Sequence, residues 1–369
     1  MLAILGPRMG SELAIANEVV FAGLTVMMTI SALCGPLLGR MLVRHGAAPV
    51  LVSGTLLFAC GFALLAFAGG VTSYLLGWAV MGFAGACGLT TAAHTAVVER
   101  VGAESGRSLT LLMVFTGLSA AVFLPVTAFA EQHLGWRGTL ILYGCLQLFL
   151  LLPLYLFVLP KSKGGNPGQR PHPGEIPASP VDTRRTFLLL AAMTTLSAFT
   201  AFGFSPLLPL LLVHSGASQA LAIQLASVRS VLAITARGLD FLLGKHGNPF
   251  ITCLIGLCLL LTSFLVLLVF SPAIPAFAGF IALFGFGAGV LTVSRAVLPL
   301  AVFSPQQYGL QAARISLPQN LAIAFAPVIF SMALDRGGVA AMLGIASILI
   351  TLSLLLLILL WKTVAGQKA

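Results

Sequence analysis

Residues 39–51 read "GRMLVRHGAAPVL", a polar island that sets Arg40 and Arg44 between Gly39 and Gly46 and has long apolar runs on both sides. The flanks decide the class. Of 369 residues, 59% are hydrophobic and 8% charged, too few polar groups to cover one water-soluble body of this size. A hydrocarbon core about 30 Å thick takes roughly 20 apolar residues per helical span, and the runs beside the island have that length. The island therefore reads as a turn at a membrane surface, with glycines for a tight crossing and arginines that set orientation.

Outward from it, apolar runs predict complete spans near 19–39, 49–69, 74–97, 108–130, 138–159, 186–213, 218–243, 249–270, 274–302, 311–334 and 338–361, eleven in all. Each is expected to be a helix, because only a helix satisfies its own backbone groups in lipid and no alternating barrel pattern is present. Residues 1–6, "MLAILG", would rise only about 9 Å and read as the tail of a first helix that is largely missing. Residues 160–185, "PKSKGGNPGQRPHPGEIPASPVDTRR", are rich in Pro, Gly and charge and form a linker. The expected organisation is an N-terminal helical half over 1–159, the linker over 160–185, and a C-terminal helical half over 186–369.

Alternate loops carry unequal charge. One side collects Arg40, Arg44, Arg100, Arg107, Lys161, Lys163, Arg170, Arg184, Arg185, Arg237, Lys245, Arg314, Lys362 and Lys368; the other has Arg8, Arg137 and Arg336. The first side, with the linker and C-terminus, is assigned to the cytoplasm. A net charge of +10 would suggest nucleic acid for a soluble protein, but here it marks one membrane face. Nucleic acid is accordingly excluded as a partner and the lipid bilayer takes its place. The six cysteines lie singly in apolar runs, without metal or redox spacing, and read as packing residues. No nucleophile, metal set or carboxylate pair supports an enzyme, and no cofactor is implied. "GLDFLLGKH" at 238–246 resembles a phosphate loop only loosely, since its glycine spacing is wrong and His246 stands where Ser or Thr belongs.

Arg44-His45-Gly46 recurs as Lys245-His246-Gly247, each between two spans at the same place in its half. Two halves, a cytoplasmic linker and a glycine–basic loop in each resemble the major facilitator superfamily, over essentially the whole chain. In the family's loop signature Gly39, Arg44 and Gly46 match, while Val43 stands in the usual acidic position; the second copy keeps Arg237, Asp240, Gly244 and Lys245. "HLGWRG" at 133–138, "GAGVLTVSRAVLPLAVF" and "YGLQAARISLP" are similar to later spans of a bacterial branch. The resemblance implies an all-α membrane protein, two six-helix halves related by pseudo-two-fold symmetry. It implies a monomer in a bacterial inner membrane that moves a small solute by alternating access, with a proton as candidate coupling ion. The loops would act as cytoplasmic latches formed by Gly39, Arg44, Gly46, Arg237 and Asp240, the last two pairing across one helical turn. Arg295 is expected to join them as a latch or phosphate-level anchor.

Ionisable groups inside spans are functional candidates by default. Arg229 lies about 12 Å inward of Arg237, too deep to reach the surface easily, and a guanidinium binds carboxylate bidentately. Monocarboxylate and oxalate transporters of the superfamily, by resemblance, use an arginine in this span, so a small organic anion is the preferred cargo. The structural alternative is an arginine satisfied by helix carbonyls or by Gln224. His94, with Thr91 beside it, and Gln319 with Asn320 after Pro318 complete the substrate-binding candidates. Thr194, Ser197 and Thr200 make a mild stripe that serves equally as packing. An exporter of apolar compounds, and a truncated membrane protein without transport, remain the alternatives.

Overall fold

The computed structural model describes residues 2–159, 183–243 and 248–365. Most of the linker, Lys368, and the tripeptide Lys245-His246-Gly247 with Gly244 lie outside the described residues. Within them every regular element is a helix: α1 (Leu2–Leu13), α2 (Asn17–Leu33), α3 (Gly35–His45), α4 (Ala47–Ala66), α5 (Val71–Gly88), α6 (Thr90–Val101), α7 (Gly106–Leu146), α8 (Leu152–Val158), α9 (Thr183–His214), α10 (Gln219–Leu243), α11 (Pro249–Phe270), α12 (Ile274–Val302) and α13 (Pro305–Ala365). By length and composition eight helical runs can cross a membrane, or nine when the pair Ala22–Leu33 and Gly35–His45, bent by 51°, is one span. That criterion does not reproduce the expected eleven. It treats parts of α7 and α13 as single runs, yet each helix turns at a glycine in left-handed conformation, Gly135 (φ 69°) and Gly338 (φ 68°). Both glycines fall where the apolar pattern predicts a boundary between spans.

The interruptions have local causes. Pro36 stands at the start of α3, where a missing N–H does least harm, and the chain bends at Cys34 before it. Pro153 cannot donate to the carbonyl one turn back, and the helix relaxes through a π turn over Gln147–Leu151 ahead of α8. Pro206 and Pro209 are carried inside α9 without ending it.

The chain groups into two compact units, each described here by itself. The first takes in Met1–Gly102, Leu118–Pro177 and Pro305–Leu321; the second takes in Ala103–Gly117, Ala178–Ser304 and Ala322–Ala369. Two short segments thus change places relative to chain order: the start of α7 belongs with α9–α12, and the start of α13 with α2–α6.

In the first unit, Phe58, Phe62, Trp78, Leu140 and Tyr143 share a core with Leu5 and Met9 of α1, and the Tyr74 hydroxyl donates to Val20 O at 2.6 Å. Residues around α1 are tied by charge as well. Arg8 pairs with Glu131 at 2.7 Å, while Glu12 accepts from the Trp136 indole and pairs with Arg137. Arg137 also donates to Ala66 O and Ala68 O, at 3.1 and 3.3 Å.

In the second unit Phe204 is the hub, with ring centroids 4.9 Å from Phe264, 4.7 Å from Phe330 and 6.0 Å from Phe284. Glycines in 285–289 let α12 sit close to its neighbours. A Cβ on Gly289 would lie 2.5 Å from Ala233 O on α10, and one on Gly287 would lie 3.0 Å from Gly256 O on α11. This is the packing use of small residues that lipid favours, since burial from water supplies no drive there. The Thr194, Ser197 and Thr200 hydroxyls are buried and donate to carbonyls of their own helix, Leu190, Thr194 and Leu196 respectively.

Candidate functional site

Four residues on one face of α7, Arg107, Thr110, Met113 and Gly117, recur every three or four positions and meet the end of α10 within the second unit. The Arg237 guanidinium donates to Met113 O at 3.3 Å, and it lies where a side chain on Gly117 would otherwise stand. The Arg107 guanidinium sits 4.8 Å from the centroid of the Phe241 ring, within cation–π range. Asp240 lies beside the Thr110 hydroxyl, which itself donates to Gly106 O at 3.1 Å.

One sequence expectation needs correcting. Arg237 and Asp240 form no ion pair with each other, unlike Arg8 with Glu131 and Arg137 with Glu12. Three-residue spacing makes a pair possible, but each side chain finds a partner on α7 instead, and Arg237 Nε stays buried without an acceptor. Gly117 was not foreseen. Its signal was a glycine inside an apolar run, which by itself does not say what fills the space.

Arg229 is half-buried on α10, and its hydrogen bond is a long one, to Ser230 Oγ at 3.5 Å. Neither a carboxylate, a helix carbonyl nor Gln224 satisfies it among the described residues. Arg295 behaves differently. Its Nε donates to Leu291 O at 3.1 Å and its guanidinium lies 5.6 Å from the Phe202 ring centroid, so it is held by its own helix and by α9.

In the first unit the opening island forms the turn between α3 and α4. Gly46 has φ 78° and ends α3, its N–H donating to Leu42 O at 2.9 Å. Arg44 is exposed. A Cβ on Gly39 would stand 3.1 Å from Ala313 Cβ and 3.2 Å from the Leu310 side chain, so α3 meets the start of α13 there. The acid missing at Val43 is supplied from elsewhere: both Glu99 carboxylate oxygens accept from Ala47 N–H, at 3.1 and 3.0 Å. Sequence reading missed Glu99. Its signal was rarity, since only nine acids occur in the chain.

His94 is 6% exposed on α6, and no hydrogen bond from it is recorded among the described residues. Thr91 is half-buried, with its carbonyl accepting from Thr95 Oγ1 at 2.7 Å. The start of α13 packs on this helix: a Cβ on Gly309 would lie 2.8 Å from the Thr95 methyl. Gln319 and Asn320 are half-buried on α13, with no hydrogen bond among the described residues. The sequence-predicted residues therefore fall into a first-unit set (Thr91, His94, Gln319, Asn320, with Gly39, Arg44 and Gly46) and a second-unit set (Arg229, Arg237, Asp240, Arg295).

Long apolar helices in two compact units, with lone arginines set inside spans, define a multi-pass helical membrane protein. No group of three or more His, Cys, Asp or Glu is placed to hold a metal among the described residues. The model of the Major Facilitator Superfamily matches residues 1–265, and the chain belongs to that superfamily. It is 28% identical over 180 residues to human monocarboxylate transporter 11; the match spans 46% of this chain and 36% of that relative, well under two thirds of its length. Three solved structures share the fold. The human organic anion transporter MFSD10 aligns with TM-score 0.69 and 18% identity, covering 95% of this chain and 88% of that one. The E. coli fucose:proton symporter FucP aligns with TM-score 0.70 and 14% identity, over 97% and 93%. The proton:xylose symporter XylE aligns with TM-score 0.64 and 16% identity, over 98% and 91%.

Proposed function

We propose that this protein is a secondary transporter that moves a small organic anion by alternating access. Residues 1–159 and 186–369 would rock as two bodies about the 160–185 linker, with the basic helix ends in the cytoplasm. The observation that carries the anion assignment is Arg229: a permanently charged group inside a span, with no compensating acid among the described residues and one long hydrogen bond. Such a group is costly to keep in a membrane interior unless a ligand or water meets it. A carboxylate would bind its planar fork in two parallel hydrogen bonds. The names of two relatives, a monocarboxylate transporter and an organic anion transporter, support the same class of cargo. Two fold neighbours are proton symporters, which makes a proton the coupling ion to test first.

The loops at the basic end would close the cytoplasmic side in one state through the Arg237–Met113 contact and the Gly39–Ala313 seam, and release it in the other. Proteoliposome uptake tests the reading directly. Arg229→Ala and Arg229→Lys should each abolish carboxylate uptake while leaving the protein monodisperse in detergent. Full uptake by either variant would remove Arg229 from the site.

A further inference from the structure

The apolar run Val71–Val101 is long enough to cross a membrane, yet its helix stops and restarts inside the run. Helix α5 ends at Gly88, Leu89 is extended (φ −95°, ψ −153°), and α6 begins at Thr90. At 1.5 Å per residue, about 18 Å of helix separates Leu89 from Val101, so the break lies within the run rather than at its end. Close packing accounts for it. A Cβ on Gly54 would lie 2.6 Å from Gly88 N, and a Cβ on Gly88 would lie 3.0 Å from the Phe58 ring, so α4 presses on the backbone where α5 ends.

A restarted helix presents N–H groups that have no intrahelical acceptor. Ser, Thr, Asp or Asn usually caps them, but Leu89 has no side-chain acceptor and none is recorded. The first main-chain bond of the new helix runs from Ala93 N to Leu89 O at 3.2 Å, leaving Thr90 and Thr91 N–H ahead of it. Thr90 is exposed and Thr91 half-buried, so the protein itself does not cover this end. His94 gives independent support for one. It is 94% buried, at 6% exposure, with no hydrogen-bond partner among the described residues. On the helix its azimuth falls between those of Thr90 and Thr91, and helical side chains lean toward the N-terminus. Thr95 shows that lean directly, its hydroxyl reaching back to Thr91 O. The one acid on α6, Glu99, lies at the opposite end and is occupied with Ala47.

We propose that the first turn of α6 binds the carboxylate of the transported anion, through the N–H groups of Thr90 and Thr91 and a ring nitrogen of His94. Helix N-termini attract anions because uncapped N–H groups and the aligned peptide dipoles act together. The inference rests on the organic-anion reading above and adds carboxylate ligands from the first unit to the one that reading assigns to Arg229.

The test measures thermal stabilisation of the purified full chain in detergent against acetate concentration, with chloride as a parallel titration. Leu89→Asp places a carboxylate of the chain's own on the uncapped N–H groups. It should raise the melting temperature without ligand and weaken apparent acetate affinity by about tenfold or more, while chloride gives no saturable shift to the native chain. Leu89→Asn caps without charge and covers the case in which the acid does not fold; it should weaken acetate several-fold. Native acetate affinity in both variants would overturn the inference, and if Arg229→Ala then weakens acetate, the anion reading survives without α6. No saturable acetate response in the native chain would sink both. A chloride shift equal to that of acetate, lost in Leu89→Asp, would reassign the site to a halide and overturn the carboxylate assignment.

Discussion

Glu99, at the end of α6, holds the first N–H of α4: both of its carboxylate oxygens lie within hydrogen-bond distance of Ala47 N, at 3.1 and 3.0 Å. The contact fixes the turn that follows Gly46 and stands in for the acid that Val43 lacks. Glu99→Ala should lower stability by about 1 kcal/mol, since the group is partly exposed, and Glu99→Gln should recover part of it through one neutral acceptor. Unfolding in mixed micelles is the measurement. Equal stability of the two variants and the native chain would mean that water caps α4 equally well.

Gly117 leaves the space in which Arg237 reaches Met113 O. Gly117→Leu should therefore push the guanidinium aside, cost about 1–3 kcal/mol by overpacking, and speed hydrogen exchange in the first turns of α7. Gly344→Ala serves as the control, because nothing lies within 4 Å of its added Cβ. Should both substitutions behave alike, the fit of Arg237 against α7 is not what holds these helices together.

The approach of α4 to the end of α5 depends on Gly54, whose added Cβ would meet Gly88 backbone rather than a movable side chain. Gly54→Val is expected to cost about 3 kcal/mol or to prevent folding, read as lost monodispersity and a lower melting temperature. A well-folded Gly54→Val protein of native stability would show that the α5–α6 break is not set by this contact.

At the other end of the first unit, Glu12 joins Trp136 and Arg137. Reversing one charge, Glu12→Arg, should cost about 1 kcal/mol and shift Trp136 fluorescence. The exchange Glu12→Arg with Arg137→Glu should restore part of the stability, less than fully because Arg137 also donates to Ala66 O and Ala68 O. No rescue at all would assign the stabilisation to those carbonyls.

How much of this was legible in the sequence differs by element. The helical class and the boundaries at Gly135 and Gly338 were readable because apolar length and interrupting polar residues are local properties. The π turn before Pro153 and the break at Leu89 were not. Both sit inside single predicted spans, where mean hydropathy is blind to whether the backbone continues. Among the candidate residues, Arg229 announced itself as a charge in an apolar run, whereas Glu99 and Gly117 have roles defined only by partners on other helices.

The amino-acid sequence by itself determined that this is a multi-pass helical membrane protein, with most of its basic residues set in the polar breaks between apolar runs. Those features follow from composition and from the thickness of a bilayer, and need no long-range contact. Tertiary structure alone decided which partner each polar group takes: Arg237 turns from Asp240 to Met113 O, Glu99 supplies the loop's missing acid, and Gly54 packs against the Gly88 backbone next to the break at Leu89. The physical reason is that in lipid each polar group must find its partner within protein, and which partner is near is set by helix packing rather than by distance along the chain.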